Sequence, residues 1–302
     1  MFDVISVGNL TIDSILLPYR GPPTVTMGGS AVYASIAARL LDVTVSIISK
    51  VGADFPDGYL WQLKQYGIDL SGLVKAEDAR TTCFRLQYSD DLLYRELQLG
   101  ARAPPITLED LHECLKAKVI HVAPVAGEIT YEVAKKLRGC ARKLSLDPQG
   151  LLRVFNEGGS VSLNSLADEC ILELVDIFKS SSEEIKTLTG KSDLRRATRR
   201  IHDYGVQTVI VTLGDEGALL SVDDTIYEIP VCKPSKLVDP TGAGDVFIGA
   251  FLAEYLRGKS ILWSGYVGSA AASLIVETAG PVFSGGKTEI YQRAKALYEK
   301  RN

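Results

Sequence analysis

The residues best suited to chemistry in this chain stand in one short stretch, Asp239-Pro240-Thr241-Gly242-Ala243-Gly244-Asp245, directly before the apolar run Val246 to Leu256. Two glycines around one small residue, where a helix should start, let backbone N–H groups converge on a concavity. The helix dipole adds positive potential there. An anion is the natural occupant. Asp245 then closes the stretch with a carboxylate, which a simple phosphate binder would avoid. The two features agree if the backbone of Gly242, Ala243 and Gly244 holds a phosphoryl group while Asp245 takes the proton of an attacking hydroxyl.

Such a loop needs a rigid frame, and the rest of the chain reads as one. Phe2 to Gly8 is a short apolar run closed by glycine, as expected of a central parallel strand. Asn9 and Asp13 follow it, where open α/β sheets bind ligands. Gly28-Gly29-Ser30 opens a helix to about Leu41, with Ser30 as the expected cap. Strand and helix then alternate: Val43 to Ser49, Asp54 to Tyr66, Val119 to Ala123, Ile129 to Leu137, Lys143 to Leu146, Val175 to Phe178 and Val206 to Leu213. The stretches at about 14–27 and 80–99 break the rhythm. Their strand-like patterning, with a hairpin at Ser89-Asp90-Asp91, predicts a small β-sheet lid. The last helices, near Ile261 to Glu277 and Thr288 to Glu299, carry Gly265 and Gly268, which are expected to leave room for a flat base.

A chain of 302 residues that is 46% hydrophobic can bury a large core, and it is expected to form a single domain over 1–302. Its net charge of −4 argues against nucleic acid or a membrane surface as partner. Five scattered cysteines show neither metal-ligand spacing nor a disulfide framework, so reduced, mostly buried thiols are expected. No basic leader precedes the first strand, and Ile261 to Phe283 is interrupted by serines and Glu277, which points to a buried helix and a cytoplasmic protein. His112, His121 and His202 have no ligand spacing and are expected to be structural. No Gly-x4-Gly-Lys-Ser/Thr loop is present, and Phe247 stands where a dinucleotide fingerprint needs its third glycine.

The string Asp239 to Asp245 closely resembles the C-terminal signature of the ribokinase-like (pfkB) carbohydrate kinases, usually Asp-Thr-x-Gly-Ala-Gly-Asp. Further matches are Gly28-Gly29, Gly52-Ala53-Asp54 with Gly58, Lys179 with Glu184, and Thr212-Leu213-Gly214-Asp215-Glu216-Gly217. The resemblance implies a doubly wound, mostly parallel α/β sheet flanked by helices, with a small β lid. It implies ATP with Mg²⁺, and a monovalent cation such as K⁺ as an optional accessory. Lys179, Thr212, Gly214, Gly217, Thr241, Gly242 and Gly244 would face the nucleotide, and Glu184 the metal. Asn9, Asp13, Gly28, Gly29 and Asp245 would face the acceptor.

Two departures from the family pattern bear on the acceptor. Tyr33 replaces an Asn usual four residues after the second glycine, and Ser181 replaces the Asn of Lys-x-Asn-x-x-Glu. They make the chain similar to the inositol kinase branch, with a sugar or polyol such as myo-inositol as the expected acceptor. A nucleoside kinase is the alternative within the family, and a non-catalytic sugar- or nucleotide-binding regulator the alternative outside it. A monomer or homodimer is expected.

Overall fold

The structure, a computed structural model, describes residues 1–300 except 19–20, 93, 112–115 and 224. Its centre is a nine-stranded sheet made by β1 (Phe2–Val7), β4 (Val45–Gly52), β5 (Asp69–Ala76), β8 (Ala117–Val122), β9 (Ala141–Leu146), β12 (Ile177–Ser181), β13 (Thr208–Thr212), β14 (Ala218–Val222) and β15 (Thr225–Ile229). The order is β15-β14-β13-β12-β9-β8-β1-β4-β5. All neighbours from β13 to β5 run parallel, and β14 and β15 add an antiparallel edge. Buried on both faces, the central strands read as near-continuous apolar runs, as in β4, where all eight residues are buried.

Helices cover both faces. On one lie α1 (Ser30–Leu40), α7 (Ala243–Leu256), α8 (Ile261–Ile275) and α9 (Lys287–Glu299), with α2 (Asp57–Gln65) beside them. On the other lie α3 (Tyr131–Arg138), α5 (Ser182–Thr189) and α6 (Leu194–His202). Helices α1 and α7 pack closely because Gly249 has no side chain; a Cβ there would fall 2.2 Å from the Ala34 carbonyl oxygen. That contact fixes one helix start against the other.

A separate four-stranded sheet in the order β3-β2-β6-β7 comprises β2 (Thr11–Leu16), β3 (Thr24–Gly28), β6 (Thr82–Tyr88) and β7 (Arg95–Ala101). It begins at Thr11, three residues before the expected start. A short hairpin of β10 (Arg153–Phe155) and β11 (Val161–Leu163), absent from the sequence-based expectation, follows the one-turn helix α4 (Gln149–Leu152).

Several expectations need correction. The cap of α1 is Gly29, with no side-chain cap bond, rather than Ser30. Gly265 and Gly268 make room for protein instead of a base: Cβ atoms there would meet Ile229 at 2.8 Å and the Phe247 carbonyl at 2.9 Å. Cys140 is disulfide-bonded, Cys170 is exposed and Cys83 half-buried, so the cysteines are not uniformly reduced and buried. His121 and His202 do bond structurally, to Ser145 and to Val206 and Ser221, while His112 and Cys114 lie outside the described residues. Among the described residues no helix is long and apolar enough to cross a membrane.

Candidate active site

Strands β9, β12 and β13 deliver Asp147, Lys179 and Thr212 to one end of the large sheet, the carboxyl end, where the crossovers leave a crevice. Two helix starts meet there. Gly242 adopts a left-handed φ of +78° before α7, and Gly29 a φ of +100° before α1. Only glycine takes such angles without strain. The amide groups of Ala243 and Gly244 form the first turn of α7, and Asp245 sits in the same turn.

Asp245 is held from two sides. Gln149 Nε2 donates to its Oδ1 over 3.3 Å and also to Ser30 Oγ. Arg153 in turn donates to Gln149 Oε1 at 2.6 Å and to the Val125 carbonyl at 2.9 Å. Burial pushes the Asp245 carboxyl up to about 6, against the downward pull of Lys179, with Asp147 adding to the rise. A carboxylate with that pKa is ionised at neutral pH yet still basic enough to accept a proton. Lys179 lies in the opposite situation. Burial opposes its charge, but Asp147, Asp245 and Glu184 outweigh it and raise its pKa, so the ammonium persists.

A cleft of about 1090 Å³ runs from this point along the sheet end. Lys179, Glu184, Thr212 and Gly214 line it together with Gly242, Ala243, Gly244 and Asp245. Gly244 lets Lys179 come close, since a Cβ there would fall 2.9 Å from Nζ. Glu184 closes a capping box with Ser181: its Oε2 accepts from the Ser181 amide at 2.7 Å, and Ser181 Oγ accepts from the Glu184 amide at 3.2 Å. Among the described residues no group of three or more His, Cys, Asp or Glu could by itself hold a metal. One carboxylate beside a phosphate cradle nevertheless fits Mg²⁺, which usually keeps several waters and takes its remaining ligands from substrate phosphates.

A smaller cavity of about 50 Å³ adjoins this cleft at Asp245, Gly242, Gln149 and Arg153. Its roof is the inner face of the four-stranded sheet, which carries Asp13 on β2 as well as the register partners Leu86 and Leu97. Gly28 makes space for Asp13, since a Cβ there would lie 1.9 Å from Oδ2. Burial pushes the Asp13 carboxyl up to about 6, opposed by Thr11, Arg95 and Arg153. Gly29 lines this cavity. Tyr88 on β6 and Thr241 in the phosphate loop share a hydrogen bond of 2.8 Å, which ties the roof to the loop.

Two expected site residues lie elsewhere, and a third, Thr241, sits in the site but on the acceptor side. Asn9 is fully buried: its Oδ1 accepts from the Lys50 amide at 3.1 Å and its Nδ2 donates to the Pro104 carbonyl at 3.5 Å. Gly217 is packed under β15, where a Cβ would fall 2.2 Å from the Ile229 carbonyl oxygen. Thr241 faces the small cavity and Tyr88 rather than the long cleft. Conversely, Asp147, Gln149, Arg95 and Arg153 enter the site unannounced. Asp147-Pro148-Gln149 directly follows β9, so the rule that ligands gather at strand carboxyl ends would have found them. Arg95, on a strand of the small sheet, carries no comparable signal.

Comparison with known proteins agrees with this geometry. Residues 1–286 match the model of the pfkB family carbohydrate kinases. A cytidine kinase of Thermococcus kodakarensis is 30% identical over 86% of this chain and 91% of its own length. An inositol 3-kinase of Arabidopsis thaliana is 28% identical over 92% of this chain and 74% of its own. Among solved structures, a pyrophosphate-dependent kinase of the ribokinase family, complexed with a pyrophosphate analogue and myo-inositol, superposes with a TM-score of 0.82 at 26% identity, covering 96% of this chain and 99% of that one. These relatives are kinases, which sets aside a non-catalytic regulator: the chain is a phosphotransferase acting on a hydroxyl acceptor. It is a member of the pfkB family of carbohydrate kinases.

Proposed function

We propose that this protein transfers the γ-phosphate of ATP to a hydroxyl of a cyclic polyol, with myo-inositol as the first candidate. The observation that carries the proposal is the position of Asp245 where two spaces adjoin, a long cleft lined by Lys179 and the glycine loop and a small cavity lined by Asp13. The small cavity combines the apolar Leu86 and Leu97 with the buried carboxyl of Asp13. The C–H face of a cyclic polyol matches the two leucines, and its hydroxyl edge matches Asp13. The inositol 3-kinase relative supports the same acceptor.

In this mechanism Asp245 accepts the proton of the acceptor hydroxyl as its oxygen attacks the γ-phosphorus, and the bond from that phosphorus to the β–γ bridging oxygen breaks to release ADP. The Ala243 and Gly244 amides, with Lys179, stabilise charge on the phosphoryl in transit. Glu184 would hold Mg²⁺ from the protein side, and the ion would supply neutralisation of the donor phosphates' charge. Asp13 grips adjacent hydroxyls, and the four-stranded sheet excludes water that would otherwise take the phosphoryl group.

The cytidine kinase relative supports a second acceptor class, a nucleoside. A coupled assay decides between them: inositols, pentoses, hexoses, hexose phosphates and nucleosides are screened with ATP and with pyrophosphate as donor, with and without K⁺. The highest kcat/KM is expected for myo-inositol with ATP. A higher value for cytidine or another nucleoside would overturn the polyol acceptor, and a preference for pyrophosphate would overturn the donor.

A further inference from the structure

Seven buried side-chain N or O atoms among the described residues lack a hydrogen bond of good geometry, and three of them belong to residues of the small cavity: Thr11 Oγ1, whose polar neighbour is the Asp13 carboxyl, Asp13 Oδ1 and the Tyr33 hydroxyl. Buried polar atoms are rarely left unpaired, because water is lost and nothing replaces it. A cluster of such atoms around one cavity marks groups whose partners arrive with a ligand. Asp13 was expected there from its place after β1. Tyr33 was not: it stands in the first turns of α1, a helix whose residues from Ser30 to Ala38 are all buried.

Tyr33 also touches the phosphate loop. Its ring lies flush against Gly242, so closely that a Cβ on Gly242 would fall 2.3 Å from Cδ1 and 2.5 Å from Cγ. Gly242 is the left-handed residue that turns the chain into α7 and sets the direction of the amides that follow. The ring is therefore a seat for the anion hole.

We infer that Tyr33 is a specificity-determining and positioning residue, whose hydroxyl donates a hydrogen bond to an acceptor hydroxyl while its ring fixes Gly242. The polyol acceptor proposed above is the basis of this assignment. The donor role follows from the surroundings. Burial, and then the Asp13, Asp239 and Asp245 carboxylates around it, push the phenol well above its usual range, so it stays protonated. A protonated phenol next to an ionised Asp13 is a complementary pair: one donates and the other accepts. Neighbouring hydroxyls of a polyol, each both donor and acceptor, satisfy both at once. Thr11 Oγ1 can serve either way. An Asn at this position would supply the polar group without the ring, so the coupling between acceptor contact and phosphate loop is particular to tyrosine.

The test compares Tyr33→Phe, which removes only the hydroxyl, with Tyr33→Leu, which also removes the ring. For each, KM and kcat are measured with myo-inositol and with cytidine, together with the KM for ATP and the melting temperature without ligands. Tyr33→Phe is expected to raise the acceptor KM at least about tenfold, the loss of one hydrogen bond to a buried group, while kcat and the ATP KM stay within about threefold. Its ligand-free melting temperature is expected to hold or rise, since an unpaired buried hydroxyl has been removed. Tyr33→Leu is expected to lower kcat at least about tenfold as well, because Gly242 loses its seat. An unchanged acceptor KM in Tyr33→Phe would overturn the assignment. So would a lower melting temperature in that variant, which would mean the hydroxyl serves the fold. If the wild type uses cytidine and not myo-inositol, and the Tyr33→Phe loss appears with cytidine, the polyol acceptor falls while Tyr33 keeps its role. If the loss appears with neither, Tyr33 fails on its own.

Discussion

Lys179 Nζ lies 2.6 Å from Asp147 Oδ2, and the side chains are only 7% and 0% exposed. This buried ion pair lies beneath the phosphate loop, with Lys179 directed at Gly244 and Asp147 at the end of β9. Removing one partner strands the other charge. Asp147→Ala should therefore destabilise the protein by about 3–5 kcal/mol, the usual range for breaking a buried pair, with Asp245 and Glu184 as the nearby carboxylates that compensate in part. Denaturant unfolding checks this. A loss under about 1 kcal/mol would mean that the pair is not a structural element of the site.

Asp245 gives a prediction in pH. As a base it must be ionised, so kcat/KM should rise through about pH 6 and level off above it. The sign for stability is opposite. Its folded pKa lies above the unfolded value of 3.8, so the stability it contributes is full below about pH 4 and is lost as pH rises through about 6. Asp245→Asn should then cut turnover at least about a hundredfold while leaving the ligand-free protein as stable as wild type below about pH 4 and increasingly more stable than wild type as pH rises to about 7.5. A variant that keeps more than about a tenth of the turnover would remove Asp245 from the role of base.

Asp13→Ala should act on the acceptor alone. Asp13 lines the small cavity, whereas the long cleft runs past Lys179 and Thr212. A carboxylate bonded to hydroxyls contributes roughly 1.5–3 kcal/mol per bond, so acceptor affinity should fall at least about tenfold while ATP affinity stays level. Isothermal titration with each ligand separately reads both. Equal losses for the two ligands would merge the two spaces into one site.

The bond between Tyr88 and Thr241 joins residues 153 positions apart and links the small sheet to the phosphate loop. Tyr88→Phe removes that link, worth about 1 kcal/mol, without changing the shape of the roof. The expected result is leakage: more ADP released per phosphorylated acceptor, as water gains access to the phosphoryl group. An unchanged ratio of ADP to product would show that the bond does not help close the site.

The sequence by itself determined the frame and the phosphate loop. Apolar runs of strand length alternating with helix patterns specify a parallel α/β sheet locally, segment by segment, and Gly242 and Gly29 mark their left-handed turns because few other residues can adopt them. Asp13, Lys179, Glu184 and Asp245 were visible because each sits within a few residues of a strand end or helix start. Tertiary structure decided what faces what. A glycine in the sequence announces that something comes close, and not whether that something is a ligand or more protein. At Gly242 it is the ring of Tyr33, at Gly265 it is Ile229, and at Gly217 it is the backbone of β15. Asn9 looked like an acceptor contact and was claimed by the Lys50 amide once β4 paired beside β1. Arg95 and Arg153 line the same cavity as Asp245 only because a strand of the small sheet and a hairpin after α4 fold over the same opening, an arrangement of distant segments that no local pattern encodes.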